Sequence, residues 1–150
     1  MNEGAGEEVL LRLPPQPEFV WTARLVAAAF ARQHAFGEEQ VDDLKIAVSE
    51  AVTNAVRAHL DAGSDDSVTL VAKMDGDAMM VDIIDKGRGF DPDAIPDLGR
   101  TPLPGSLEGG LGLTVIRTLF SETTLEREPE GGMRLHLILK REAEPADLFS

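Results

Sequence analysis

The sequence predicts an α+β fold, a two-layer α/β sandwich with three main helices on one face of a mostly antiparallel five-stranded sheet. Segments with strand and helix periodicity arrive in the order strand, two helices, hairpin, helix, hairpin, without the regular β–α alternation that a doubly wound parallel sheet needs. Two turn sequences, Asp75–Gly76–Asp77 and Pro129–Glu130–Gly131–Gly132, each separate apolar runs of strand length. With 150 residues and 43% hydrophobic content, the chain can bury one sizeable core, which points to one domain.

Residues 1–8 read as a flexible tail, and Val9–Leu13 as a short strand closed by Pro14, Pro15 and Pro17. Phe19, Leu25, Val26, Ala29 and Phe30 recur at near-helical spacing between Glu18 and Gln33, and Gly37 breaks that helix. A second helix runs from about Glu38 to Leu60, with Val41, Leu44, Val48, Ala51, Val52 and Ala55 in one apolar stripe. Ser67–Met74 and Ala78–Asp85 form a hairpin over the Asp-Gly turn, whose glycine is its strongest local signal. Leu111–Phe120 gives the third helix, Glu122–Arg127 and Gly132–Lys140 the last two strands, and residues 141–150 a second flexible tail. Met74, Met79, Met80 and Met133 read as core filler.

A net charge of −13 and a pI near 4.5 argue against broad binding to nucleic acid or anionic membrane, so any phosphate site must be local. No run approaches the roughly 18 apolar residues of a membrane span, and MNEGAGEE lacks the regions of a secretory signal; a cytoplasmic protein is expected. Without cysteine there is no disulfide and no thiolate chemistry, and His34, His59 and His136 share no ligand-like spacing.

Two glycine clusters frame the most informative stretch. Gly87 and Gly89 follow one apolar run, and Gly109, Gly110 and Gly112 open another. Glycine at a strand end lets backbone approach a ligand, and glycine at a helix start frees amides for an anion. The residues between them, 91–108, carry Pro92, Pro96, Pro102 and Pro104 and read as a lid over a nucleotide pocket. On the second helix, Glu50 and Asn54 stand one turn apart beside the apolar stripe. A carboxylate there can orient or deprotonate a hydroxyl, and an amide oxygen can ligate Mg²⁺. Gly87–Arg88–Gly89 is no dinucleotide fingerprint, because Pro92 stands where the third glycine belongs.

Glu50–Ala51–Val52–Thr53–Asn54–Ala55, then Asp85–Lys86–Gly87–Arg88–Gly89–Phe90–Asp91, then Gly109–Gly110–Leu111–Gly112–Leu113 resemble, in order, the three ATP-site boxes of the GHKL ATPase superfamily. Within it, the short domain and the Ser49–Glu50–Ala51–Val52–Thr53–Asn54–Ala55 run resemble the anti-sigma factor serine kinases, over about residues 9–140. The resemblance implies a Bergerat-type ATP-binding fold, ATP and Mg²⁺ as cofactors, and a homodimer. It makes Glu50 the catalytic base toward a protein serine and Asn54 the Mg²⁺ ligand. Asp85 would accept a hydrogen bond from the adenine amino group, with Gly87 and Gly89 letting the loop pass the base. Gly110, Leu111 and Gly112 would meet the phosphates. Arg24 would contact protein partners: a sigma factor and a STAS-type anti-sigma antagonist, the latter phosphorylated on serine.

Two positions depart from the family pattern. The histidine often found four residues after the box asparagine is Ala58 here, and His59, one place on, receives no role. Gly132–Met133–Arg134 stands where many relatives carry a threonine that helps bind the base. Competing readings are a nucleotide-gated anti-sigma module without kinase activity and a detached domain phosphorylating histidine on a partner. If residues 91–108 form a γ-phosphate-dependent lid, hydrogen exchange across them will slow more with ATP than with ADP. Identical exchange in the empty, ADP and ATP states would rule the lid out.

Overall fold

The structure, a computed structural model, describes residues 7–87, 111–120 and 122–142; Gly89, Gly110 and the expected lid lie outside the described residues. The elements are β1 (Glu8–Leu13), α1 (Phe19–Gln33), α2 (Glu38–Ala62), β2 (Val68–Asp75), β3 (Ala78–Ile84), α3 (Leu111–Leu119), β4 (Thr123–Arg127) and β5 (Met133–Lys140). The strands form one antiparallel sheet in the order β1-β2-β3-β5-β4, so the first hairpin meets the C-terminal one along β3 and β5. Helix α2 crosses β2 and β3 and packs against both α1 and α3. Three helices on a five-stranded sheet is the architecture that the periodicities predict.

Strand alternation divides the sheet into two faces. Val68, Leu70, Ala72 and Met74 of β2, Met79, Val81 and Ile83 of β3, and Met133, Leu135 and Leu137 of β5 are buried under the helices. Met80 departs from its expected place in the core. It falls on the opposite phase of β3 and stands half-buried on the open face.

Helix α1 buries a different face from the expected one. Ala23, Ala27, Ala28, Phe30 and Ala31 are buried, whereas Leu25 is 51% exposed and Ala29 lies outside. Small side chains let α1 come close to the Val41, Leu44, Val48 and Val52 stripe of α2, and that close approach outweighs the burial of one larger leucine.

Helix α2 runs two residues past its expected end. It closes on Gly63 in the left-handed region at φ 66°, with the amides of Gly63 and Ser64 donating to the carbonyls of Leu60 and His59 at 3.2 and 2.9 Å. That is a Schellman closure, which glycine adopts without a Cβ penalty. The chain beyond β5 is not loose at its start: the Arg141 amide donates to the Asp77 carbonyl at 2.8 Å and the Glu142 amide to Gln40 Oε1 at 3.2 Å. Buried Gln40 also donates to the Lys140 carbonyl at 2.7 Å, fastening the end of β5 to the start of α2.

The reassigned α1 face has a direct test. Ala27→Leu, at a fully buried position, should destabilise by about 1–3 kcal/mol through overpacking. Leu25→Ala, half exposed, should stay within about 0.5 kcal/mol. Denaturant unfolding that ranks the two the other way would restore the Leu25 face.

Candidate functional site

Asp85 stands just past the end of β3, where the sheet stops and its last ladder bond is still made: its amide donates to the Met133 carbonyl at 2.9 Å. The residue is 7% exposed. Two backbone amides converge on Oδ1, from Gly87 at 3.1 Å and Met133 at 3.2 Å, and among the described residues the second oxygen is the one left to a ligand. Burial pushes the carboxyl up to about 6; the two amides pull it down, and the nearby Glu128 charge raises it further.

Glycine is required on both sides of this carboxylate. Gly132 has φ 98°, and a Cβ there would stand 2.0 Å from the Asp85 carbonyl oxygen. A Cβ on Gly87 would stand 2.6 Å from the Ala58 carbonyl oxygen of α2. The close approach seen at Gly87 is thus to helix α2. Between these contacts, the Lys86 amide donates to His59 Nε2 at 2.8 Å.

His59 is wholly buried, and burial lowers its pKa against the opposing charge and backbone of Asp66. Sequence reasoning gave it no role, although Val48, Val52, Ala55 and His59 continue one helical stripe. That stripe was the signal available. Gly132 and Met133 were read as turn and core-strand residues at a departure from the family pattern, not as backbone that packs on Asp85 and donates to it. A threonine is not needed to supply a donor here, since the Met133 backbone amide serves Asp85 whatever its side chain.

About one and a half and two and a half turns back along α2 from His59 are Asn54 and Glu50, both half-buried. Four residues of helix separate them by about 6 Å along the axis, on one side. Asn54 Oδ1 is buried and has no hydrogen-bond partner among the described residues. An orphaned buried acceptor costs about 1–3 kcal/mol. A hard oxygen with vacant lone pairs is the donor that Mg²⁺ prefers, so Asn54 fits that ion.

Leu111 and Gly112 form the first turn of α3, which packs on α2. Gly110, and Gly89 of the middle box, cannot be placed because they lie outside the described residues. Lys86 and Gly87, which follow Asp85, are therefore joined to the C-terminal part of α2 by direct contacts, and α3 packs on the same helix. Arg24 belongs to α1. It is half-buried, with its guanidinium 5.1 Å from the centroid of the Trp21 ring, and its Nε is buried without a partner among the described residues.

Comparison with known proteins bears on the family and the fold. The profile of the histidine kinase-like ATPase domain matches residues 13–139. The serine-protein kinase RsbW of Listeria innocua is 34% identical over 124 residues, 79% of each chain. The RsbW of Bacillus pumilus is 32% identical over 149 residues, covering 95% of this chain and 91% of its own. Among solved structures, the RsbU and RsbW domains of a Mycobacterium tuberculosis protein superpose with a TM-score of 0.65 at 20% identity, over 92% of this chain and 33% of that one. A chain of the SiaB–SiaC complex of Pseudomonas aeruginosa gives a TM-score of 0.64 at 13% identity, over 87% of this chain and 88% of that one. These two likenesses concern the fold. The profile match and the extent of the RsbW alignments establish that the chain belongs to the histidine kinase-like ATPase family, alongside the RsbW serine-protein kinases.

Proposed function

We propose that this chain is an ATP- and Mg²⁺-dependent serine-protein kinase and anti-sigma factor. It acts in the cytoplasm as a homodimer, sequesters a sigma factor, and phosphorylates a STAS-type anti-sigma antagonist on serine. The observation that carries the reading is the buried Asp85 carboxylate, whose two donors among the described residues meet one oxygen and leave the other to a ligand. Such a group selects a purine bearing an amino group, because a base with the wrong edge leaves it unpaired. The serine-kinase names of relatives at 34% and 32% identity support the same reaction here. Among the described residues no helix is long and apolar enough to cross a membrane.

In this reading Asp85 holds the adenine, and the first turn of α3 turns backbone amides to the phosphates. Mg²⁺, when bound at Asn54, supplies neutralisation of phosphate charge. Glu50 orients the incoming serine and takes its hydroxyl proton. As the serine oxygen bonds to the γ-phosphorus, the bond to the β–γ bridging oxygen breaks and ADP leaves. Arg24 lies on another helix, and its planar fork suits a carboxylate of a protein partner.

Asp85→Asn puts a donor or a weaker acceptor against the adenine amine and should weaken ATP binding by roughly 2 kcal/mol. Asn54→Ala should remove the Mg²⁺-dependent part of binding. In the free protein Asp85 carries a raised pKa of about 6, and only the ionised form accepts on both oxygens. ATP affinity should therefore fall as pH drops through 6, with proton release on binding near that pH. The sign for stability is opposite: a raised carboxyl pKa means the folded state holds more protons between about 4 and 6, so this group's contribution to stability declines as pH rises across that window. Calorimetry in buffers of different ionisation enthalpy checks both the proton release and the affinity. Unchanged ATP affinity in Asp85→Asn or Asn54→Ala would sink the site.

Partner capture and phosphoryl transfer should also separate. Glu50→Ala should abolish serine phosphorylation and leave ATP and sigma-factor binding nearly intact, since a base acts in the transfer step. Arg24→Ala should weaken partner capture and spare ATP binding. Pull-down and kinase assays in which each variant loses both activities equally would reject this division.

A further inference from the structure

We propose that His59 is a positioning residue for base recognition, its Nε2 accepting the Lys86 amide and thereby fixing Asp85–Lys86–Gly87 against the end of α2. The inference rests on the reading of Asp85 as the group that meets adenine.

Three consecutive residues are held from three directions. Asp85 is bound to β5 through Met133, its amide donating at 2.9 Å and its Oδ1 accepting at 3.2 Å. Gly87 lies on the Ala58 carbonyl with no room for a Cβ. Lys86 lies between them, and its side chain is exposed, so the 2.8 Å bond to His59 is its buried anchor among the described residues. Gly87 in turn donates to Asp85 Oδ1 at 3.1 Å, so any swing of the Lys86 peptide moves a donor on the carboxylate itself.

His59 is well fixed to do this. It is wholly buried, and its own carbonyl receives the Ser64 amide at 2.9 Å in the closure of α2. Accepting at Nε2 requires an unprotonated nitrogen there, which assigns the ring proton to Nδ1, an atom that is buried without a hydrogen-bond partner among the described residues, so the Lys86 bond is the ring's compensation for burial. Burial keeps the ring neutral by lowering its pKa. A side chain chosen only to fill this space would be apolar, because a buried imidazole without a bonded partner is costly.

The test uses calorimetry of a non-hydrolysable ATP analogue with the full chain and the variants His59→Leu, His59→Asn, His59→Gln, Asp85→Asn and His59→Leu/Asp85→Asn, together with melting temperatures. Leucine removes the acceptor, and asparagine keeps a polar group that is too short to reach Lys86. Glutamine places an amide oxygen near the position of Nε2. Affinity should fall about ten-fold in His59→Leu and His59→Asn, the scale of one lost buried hydrogen bond, and recover to within about three-fold in His59→Gln. In the Asp85→Asn background, His59→Leu should add little, because the two act through one contact. Melting temperatures that fall while affinity holds would overturn the proposal in favour of packing alone, and equal losses in the glutamine and leucine variants would overturn the acceptor role. Additive losses in the double variant would overturn action through Asp85. A ten-fold loss in Asp85→Asn with no loss in His59→Leu leaves the base reading standing and removes only the His59 inference; an unaffected Asp85→Asn removes both.

Discussion

Burial of the Asp85 carboxylate at the end of a central strand is the constraint on which the rest of the structure depends, because desolvation raises its proton affinity and only fixed donors bring it back down. Those donors are backbone amides, which cannot be supplied by a side chain swinging into place. One comes from the residue two further along and the other from β5, which lies 48 residues away in the chain. The site therefore exists only if the C-terminal hairpin pairs with β3 in the right register. A nucleotide pocket built this way is a property of the whole sheet.

The same reasoning explains the placement of α2. Gly87 rests on the Ala58 carbonyl, so the helix must lie close to the loop that leaves β3. Close approach on that side is matched on the other by α1, whose buried face is mostly alanine. Larger residues there would lift α2 away from the sheet or force strain into its packing. Leu25 and Trp21, both more than half exposed, are the large side chains that this arrangement leaves outside, flanking Arg24.

Much of this was legible in the sequence, and the limit falls at a definite place. Periodicity located all eight elements, because each is long enough to repeat its own pattern, and the Asp75–Gly76–Asp77 turn fixed the first hairpin with Gly76 at φ 65°. Asp85 could be singled out because an acid stands between an apolar run and a glycine pair. What stayed hidden were contacts between residues far apart in the chain. Nothing near Gly132 signals that its backbone will sit against Asp85, and nothing near His59 names Lys86 as its donor. The α1 face was misread for a related reason: counting large apolar residues favours Leu25, whereas the neighbouring helix selects for smallness.

The departure at Met133–Arg134 shows how the sheet meets the site's demand without the threonine of relatives. Alternation sends the Met133 side chain under the helices and that of Arg134 to the open face. There Arg134 pairs with Asp82 of β3 and, at 3.2 Å, with Glu128, while His136 also meets Asp82. In the ladder, Ile84 stands opposite Arg134 and Asp82 opposite His136. A slip of one residue would turn Arg134 and His136 inward, where their polar groups would lie among Leu70, Val81 and Leu137, and would carry the Met133 amide away from Asp85. The polar cluster on the open face thus acts as a register lock for a hydrogen bond on the far side of the same strands. Glu128 takes part on both sides, pairing with Arg134 while its charge raises the Asp85 pKa, so the lock and the buried Asp85 carboxylate are electrostatically coupled as well.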